Sequence, residues 1–209
     1  MPIRRDVASR VLAPILAVAL VLGVVALRAT HSDAGFPLAS SKRSSCGADA
    51  GRAPRELGLE RARQLTLCLH NEQRASEGLP PLRRNSQLEL AAQRYAEQMV
   101  AEQFFEHEAP NGSDPQDRIL MAGYPSQAAS TGENLAWGTG AEGTPVEIMD
   151  GWMHSPGHKA NVLRPNFAEA GVGIVSDVPK DRQRMPAGAT YAVSFGGAPL
   201  PAQPPSALP

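Results

Sequence analysis

Apolar residues recur at intervals of three and four along the middle of the chain, a spacing that is typical of amphipathic helices. One such segment ends at Gly78, just before a pair of prolines, and its apolar positions are Leu59, Ala62, Leu65, Cys68 and Leu69. A second begins after Asn85 or Ser86, two N-cap candidates, and runs to about Phe104, with its apolar face at Leu88, Ala91, Ala92, Tyr95 and Met99. The pattern therefore predicts two long helices.

Shorter helices are indicated where a polar residue directly precedes proline, because proline is favoured at the first helical position. The three signals of this kind are Asp114-Pro115, Thr144-Pro145 and Ser155-Pro156-Gly157. The last of them places His158 in or near the first turn of its helix.

The last third of the chain contains two stretches that predict strands, GVGIVSD at 171–177 and ATYAVSFGG at 189–197. A third strand is expected around residues 134–137. Because the predicted helices come first and the strands last, their order favours an α+β fold over an alternating βαβ fold with a parallel sheet.

The amino terminus predicts export from the cytoplasm. Arg4, Arg5 and Arg10 precede an uncharged apolar run at 11–27, and the secretion machinery recognises a positive flank of this kind. The run is long for a signal-peptide core and short for a membrane span of about 20 residues. We therefore expect residues 1–34 to be a signal peptide or a membrane anchor, with the apolar run as an N-terminal helix, and both alternatives stay open.

The segments on either side of the predicted domain differ from it in composition. Residues 35–58 are dominated by Ser, Ala, Gly, Pro and Arg and predict a flexible linker. Residues 198–209, APLPAQPPSALP, predict an extended Pro-rich tail. One domain, at 59–197, lies between them.

The two cysteines, Cys46 and Cys68, both follow the predicted export signal. In an oxidising compartment they can form one disulfide, worth about 3 kcal/mol for a loop of roughly 20 residues. No catalytic base or second metal ligand stands next to either cysteine, so we expect a structural bridge; two free thiols are the alternative.

Composition and charge restrict the function further. The 209 residues include 20 Lys or Arg and 21 Asp or Glu, a formal net charge of -1. Such a chain lacks the basic character of a nucleic-acid-binding protein. Apolar residues at 42% are sufficient for a buried core.

Candidate chemistry is concentrated in three short segments. His107 lies between a helix end and a Pro/Gly turn, Glu133 precedes an apolar run that would bury it, and His158 begins a helix. A buried carboxylate needs a cation, a metal or several donors. His154 and His158 are four residues apart, but Pro156-Gly157 interrupts any helix that would present them together. Spacing alone leaves the function open.

Taken together, seven segments between Leu65 and Gly197 resemble the CAP superfamily of cysteine-rich secretory, antigen 5 and pathogenesis-related 1 proteins, in its bacterial SCP-like form. In chain order they are LTLCLHNEQRASEGLPPLRRNSQLELAAQRYAEQM, FFEHEAPNG, PQDRILMAGY, GENLAWG, WMHSPGHKANVL, FAEAGVGI and YAVSFGG. The resemblance implies a three-layer α-β-α sandwich with a cleft lined by two histidines and acidic residues.

The resemblance also implies a site. His107, Glu133 and His158 match the family's cleft residues, and in some relatives the two histidines bind zinc or another divalent ion. A second glutamate found in many eukaryotic members falls on Ser155 here, and Glu147 is not an equivalent. We therefore expect a divalent metal, most suitably zinc, at His107, Glu133 and His158, and no nucleotide cofactor.

Three functions are consistent with these residues. The first is an exported binding module for a lipid, a glycan or peptide, or another envelope protein. The second is a metal-dependent hydrolase in which Glu133 activates water; Ser155 is not framed by a nucleophile motif such as G-x-S-x-G. The third is a structural secreted domain. In each case we expect a protein that is secreted or anchored to the outer face of the plasma membrane, through residues 11–27 if these are retained.

Overall fold

A four-stranded sheet lies between two layers of helices in the computed structural model, which describes residues 44–125, 130–181 and 187–197. The strands are β1 (Arg83–Arg84), β2 (Thr131–Thr139), β3 (Phe167–Val175) and β4 (Gly188–Gly197). The helices are α1 (Pro54–Leu57), α2 (Leu59–Ser76), α3 (Ser86–Glu102), α4 (Pro115–Met121), α5 (Pro145–His154) and α6 (Pro156–Val162). The predicted α+β class and three-layer α-β-α sandwich are confirmed.

The strand order is β1-β3-β4-β2. The central strand β4 pairs antiparallel with both β2 and β3, while β1 pairs parallel with β3. Among the described residues β2 pairs with β4 alone, so it forms one edge of this sheet. The predicted third strand is confirmed as β2, whereas β1 consists of two charged residues and has no apolar alternation that would reveal it.

The two helical layers bury different apolar clusters against the sheet. On one side, α2 and α5 pack on it around a large cluster that includes Leu65, Trp152, Tyr191 and Phe195. On the other, α3 packs on β3 and β4 with Tyr95, Met99 and Ala192. A Cβ atom at Gly171 or Gly173 would collide with the α3 backbone. Glycine at these positions allows the helix to lie directly on β3.

Local signals determine where the helices begin. The side chain of Asn85 accepts hydrogen bonds from the backbone of Gln87 and Leu88, which confirms Asn85 as the N-cap of α3. Asp114 and Asp117 form a capping box at the start of α4. Proline occupies the first turn of α4, α5 and α6, as the sequence predicts.

The described part of the predicted linker is folded. A 3-10 turn at Ala48–Gly51 and helix α1 precede α2, and Ala50 and Cys46 are buried. Cys46 is bonded to Cys68 of α2 with a Cα–Cα distance of 5.8 Å, so the predicted disulfide is confirmed. The expectation of a flexible linker up to residue 58 is therefore corrected from residue 44 onward, because the disulfide and the burial of Ala50 hold this segment against the domain.

The terminal predictions concern residues that the structure does not describe. The apolar run at 11–27 and the tail at 198–209 both lie outside the described ranges. Within those ranges, no helix combines the length and the apolar character needed to cross a membrane. The signal peptide or anchor stays a prediction.

Candidate functional site

Glu133 forms a buried ion pair with Arg118. Its carboxylate lies in β2 and its oxygens are 2.8 and 3.1 Å from Nη2 of Arg118, which projects from α4. The two side chains are only 3% and 8% exposed. The cation and the two hydrogen bonds offset the cost of burying the carboxylate.

Arg118 also fixes the loop that carries His107. Its guanidinium donates hydrogen bonds to the backbone carbonyl oxygens of His107 at 2.9 Å and Ser113 at 2.8 Å. It also stacks on the ring of Tyr95, with Cζ 3.3 Å from the ring centroid, while the Tyr95 hydroxyl donates to the Glu106 carbonyl at 2.7 Å. The loop between α3 and α4 is thus held in place by side chains from both helices.

His107 shares the carboxylate of Glu133. Its Nδ1 lies 2.9 Å from Oε1 of Glu133, and because a carboxylate can only accept, Nδ1 carries the proton of this hydrogen bond. The hydrogen bond raises the pKa of His107, whereas partial burial and the charge of Arg118 oppose the rise. The side chain is 55% exposed, and no described residue forms a hydrogen bond with its Nε2. Nε2 is therefore the nitrogen available to a ligand.

His158 is attached to the same strand by asparagines. Nδ2 of Asn134 donates to the carbonyl oxygen of His158 at 3.1 Å, and Nδ2 of Asn161 donates to the Glu133 carbonyl and to Oδ1 of Asn134 at 3.1 and 2.9 Å. Burial lowers the pKa of His158, and the charge on nearby His107 lowers it further. Helix α6 thus holds its histidine within electrostatic reach of His107, and all three predicted site residues belong to one region.

A mostly apolar groove of about 370 Å³ extends from this region. Its floor is the β2 segment Leu135 to Trp137, and α5 forms one wall. The remaining lining residues are Phe105, Glu142, Ser155 and His158. Ser155, the position on which the family resemblance places a second glutamate, lies in this lining at the junction of α5 and α6.

The metal site predicted at His107, Glu133 and His158 stays a prediction, and the contacts of Glu133 bear on which of these residues would hold the ion. Among the described residues, no group of three or more His, Cys, Asp or Glu side chains is placed to hold a metal ion. The oxygens of Glu133 already accept from Arg118 and His107. These contacts fit a site in which the two imidazoles bind the ion and Glu133 orients His107 by accepting its Nδ1 proton. Acidic acceptors of this kind commonly accompany metal-binding histidines. Metal binding itself stays a prediction.

The sequence profile of the cysteine-rich secretory protein (CAP) family matches residues 67–192, which include every residue of the His107–Glu133–His158 region. The chain belongs to this family. The resemblance noted from the sequence is therefore confirmed.

Relatives of the CAP domain occur in bacteria and in animals. The chain is 36% identical over 107 residues to the uncharacterized protein YkwD of Bacillus subtilis (strain 168), a match that covers 51% of this chain and 40% of YkwD. It is 29% identical over 123 residues to the human Golgi-associated plant pathogenesis-related protein 1, covering 59% of this chain and 69% of that protein. The chain thus spans less than half the length of YkwD.

Two solved structures share the fold. An extracellular protein with an SCP domain from Bacillus anthracis superposes with a TM-score of 0.56 at 23% identity, covering 70% of this chain and 44% of that one. An outer surface protein of Borrelia burgdorferi superposes with a TM-score of 0.53 at 22% identity, covering 64% of this chain and 90% of that one. At these identities the comparison establishes the fold alone.

Proposed function

We propose that this protein is an exported CAP-domain binding module that holds its ligand in the β2 groove beside a two-histidine, metal-dependent site. The observation that carries the proposal is the Arg118–Glu133–His107 arrangement. In it a buried carboxylate, ion-paired with an arginine, accepts a hydrogen bond from Nδ1 of an exposed imidazole. This hydrogen bond orients the ring and leaves Nε2 in a defined position for a metal or a ligand.

The proposed metal ligands are Nε2 of His107 and the imidazole of His158. Two neutral imidazoles suit zinc, and the coordination positions that remain can be filled by water or by a ligand. Glu133 accepts the Nδ1 proton of His107 and thereby selects the tautomer that can bind. We expect a readily exchanged ion rather than a closed structural site, because the proposal assigns the ion two protein ligands from the described part of the chain.

The proposed location is the cell envelope or the space outside the cell. The arginine-flanked apolar run at 11–27 supports export, and the Cys46–Cys68 disulfide suits an oxidising compartment. The two structural neighbours described above are an extracellular protein and an outer surface protein. Retention on a membrane through residues 11–27 is part of this proposal.

The alternative of a hydrolase finds less support in the geometry. A general base must be free to take a proton from water. Glu133 has both oxygens engaged by Arg118 and one of them also by His107. Ser155 lines the groove, but no hydrogen bond joins its hydroxyl to a histidine among the described residues. Metal-dependent peptide cleavage that disappears in Glu133→Ala would favour the enzyme instead.

Calorimetric titration of zinc into the full chain in mild detergent tests the site. We expect heat of binding for the wild type and none for the double variant His107→Ala/His158→Ala. The matched control is His154→Ala, an exposed histidine outside the groove lining, which should bind like the wild type. Equal heats for the wild type and the double variant would contradict the metal site. Retention on isolated cell envelope, lost in the double variant or with a chelator, tests the binding role.

A further inference from the structure

Within the described ranges, side chains occupy the outward carbonyl oxygens of Glu133 and Leu135 on β2, whereas both outward backbone groups of Trp137 are open. The backbone N–H and C=O groups of even-numbered β2 residues point toward β4. This follows from the hydrogen bonds at the two ends of the ladder, where Gly197 N donates to Ser130 O and Gly140 N donates to Ala187 O. The backbone groups of odd-numbered positions therefore point away from the sheet.

Helices α6 and α5 each donate a side-chain hydrogen bond to one outward carbonyl oxygen of β2. The carbonyl oxygen of Glu133 accepts from Asn161 of α6, and that of Leu135 accepts from the indole of Trp152 on α5 at 3.0 Å. The next outward backbone groups are those of Trp137, and no hydrogen bond reaches them from elsewhere in the described ranges. An unpaired N–H and C=O at a sheet edge can pair with an added strand.

The groove lies along this open edge and reaches both faces of the sheet. Phe105, which follows α3, belongs to one face, and Ile148 and Trp152 of α5 belong to the other. An extended peptide beside Trp137 would direct alternate side chains to these two faces, because successive side chains of a strand point in opposite directions.

The groove carries negative charge without a balancing cation among the described residues. Glu142 lies in the 3-10 turn Gly140–Gly143, and Glu147 lies in the first turn of α5 on the Trp152 side. Both are exposed, and neither forms an ion pair with another described residue. No lysine or arginine of the described ranges lines the groove. Glu147 on the α5 wall therefore complements a basic side chain of a ligand, while Phe105 complements an apolar one.

We propose that the β2 groove binds an extended peptide segment with alternating apolar and basic side chains, added as a strand beside Trp137. The inference rests on the proposed binding function and names the ligand class of its groove. A peptide is favoured over a lipid because a peptide strand pairs with both the open N–H and C=O of Trp137 in the geometry of a sheet while presenting a cation to Glu147 and Glu142.

The probe is an acetylated and amidated hexapeptide in which valine and lysine alternate, titrated calorimetrically into the full chain. We expect binding that is at least tenfold tighter than that of the matching valine–glutamate peptide. Methylation of the peptide backbone nitrogens should weaken binding at least tenfold, because the strand hydrogen bonds are lost. Glu142→Gln and Glu147→Gln should each weaken it about two- to five-fold, as for exposed ion pairs. Glu77→Gln, an exposed glutamate outside the groove, is the matched control and should bind normally.

Three results would overturn the inference. They are equal affinity for the lysine and glutamate peptides, unchanged affinity after N-methylation, and octylammonium binding as tightly as the peptide, which would indicate a lipid-like ligand. If no peptide binds while zinc still binds through His107 and His158, the inference fails and the proposed metal site stands. Peptide binding without zinc binding supports the inference and removes the metal from the proposed function.

Discussion

Arg118 and Glu133 form an ion pair that is almost completely removed from solvent, with Nη2 2.8 Å from the nearer carboxylate oxygen. The pair links α4 to β2 and fixes the position of His107 through both its backbone and its ring. An exposed histidine, whose position would otherwise depend on a loop, is thus attached to the sheet. The metal-dependent site that we propose depends on this pair.

Removal of the arginine should destabilise the protein strongly. Arg118→Met leaves the Glu133 carboxylate buried without its cation, and breaking a buried pair in this way typically costs about 3–5 kcal/mol. The free energy of unfolding, measured by denaturant titration, checks this. Adding Glu133→Gln should restore part of the loss, since the uncompensated charge is then absent. A loss below about 1 kcal/mol for Arg118→Met would show that the carboxylate is not held as described.

His70 should make the domain sensitive to acid. It is fully buried between Trp152 and Phe195, its Nδ1 lies 2.8 Å from the Thr66 carbonyl oxygen, and its Nε2 has no partner among the described residues. Burial lowers the pKa of His70 to about 4, with a smaller contribution from the charge of Arg74 and an opposing one from the bond to Thr66. In the unfolded chain this pKa is near 6.5.

The sign of the effect follows from these two pKa values. The folded state favours neutral His70, so its contribution is complete above pH 6.5 and is lost as the pH falls toward about 4, by roughly 3 kcal/mol. His70→Phe keeps an aromatic ring in place and should remove this part of the pH dependence of unfolding. His154→Gln, at an exposed histidine, should not. An unchanged acid dependence in His70→Phe would contradict the assignment.

The disulfide should contribute substantially to stability. The Cys46–Cys68 bridge joins residues 22 apart, and closing a loop of that length is worth about 3 kcal/mol in the chain-entropy description. The double variant Cys46→Ser/Cys68→Ser should lose about that much free energy of unfolding. Reduction of the wild type should reproduce the loss, and Cys68→Ser alone should resemble the double variant. A change below about 1 kcal/mol would indicate that residues 44–58 are held by packing alone.

Much of the fold is predictable because its signals are local. The Asn85 cap, the Pro-initiated helices and the apolar period of α2 and α3 each depend on a few neighbouring residues. The candidate site, in contrast, comes from the family resemblance, since spacing does not relate His107 to His158.

Features that depend on tertiary pairing were not predictable in this way. An arginine on a short helix is normally exposed, so nothing in the local sequence indicates that Arg118 is buried against Glu133. The segment at 44–58 has the composition of a linker, and only its disulfide to α2 and its packing against α2 and α5 make it part of the domain. The open edge at Trp137 follows from the strand order, which sequence reasoning does not provide.

Zinc affinity should depend on pH because protonated imidazole cannot bind a metal. The pKa of His107 is raised by Glu133, so protons compete with zinc already above the ordinary histidine value near 6.5. We expect affinity to fall roughly tenfold between pH 7.5 and pH 6. In Glu133→Gln the pKa of His107 returns toward its ordinary value, and the fall should move to lower pH. Affinity that does not change over this range would exclude imidazole ligands.

The most direct measurement is the long-range proton–nitrogen spectrum of the histidine rings during a zinc titration at pH 7.5. Our account predicts that His107 carries its proton on Nδ1 before zinc is added, and that zinc then shifts Nε2 of His107 and the ring of His158. The rings of His70 and His154 should not change. Zinc bound through Nδ1 of His107, or spectra in which neither His107 nor His158 responds, would contradict the account.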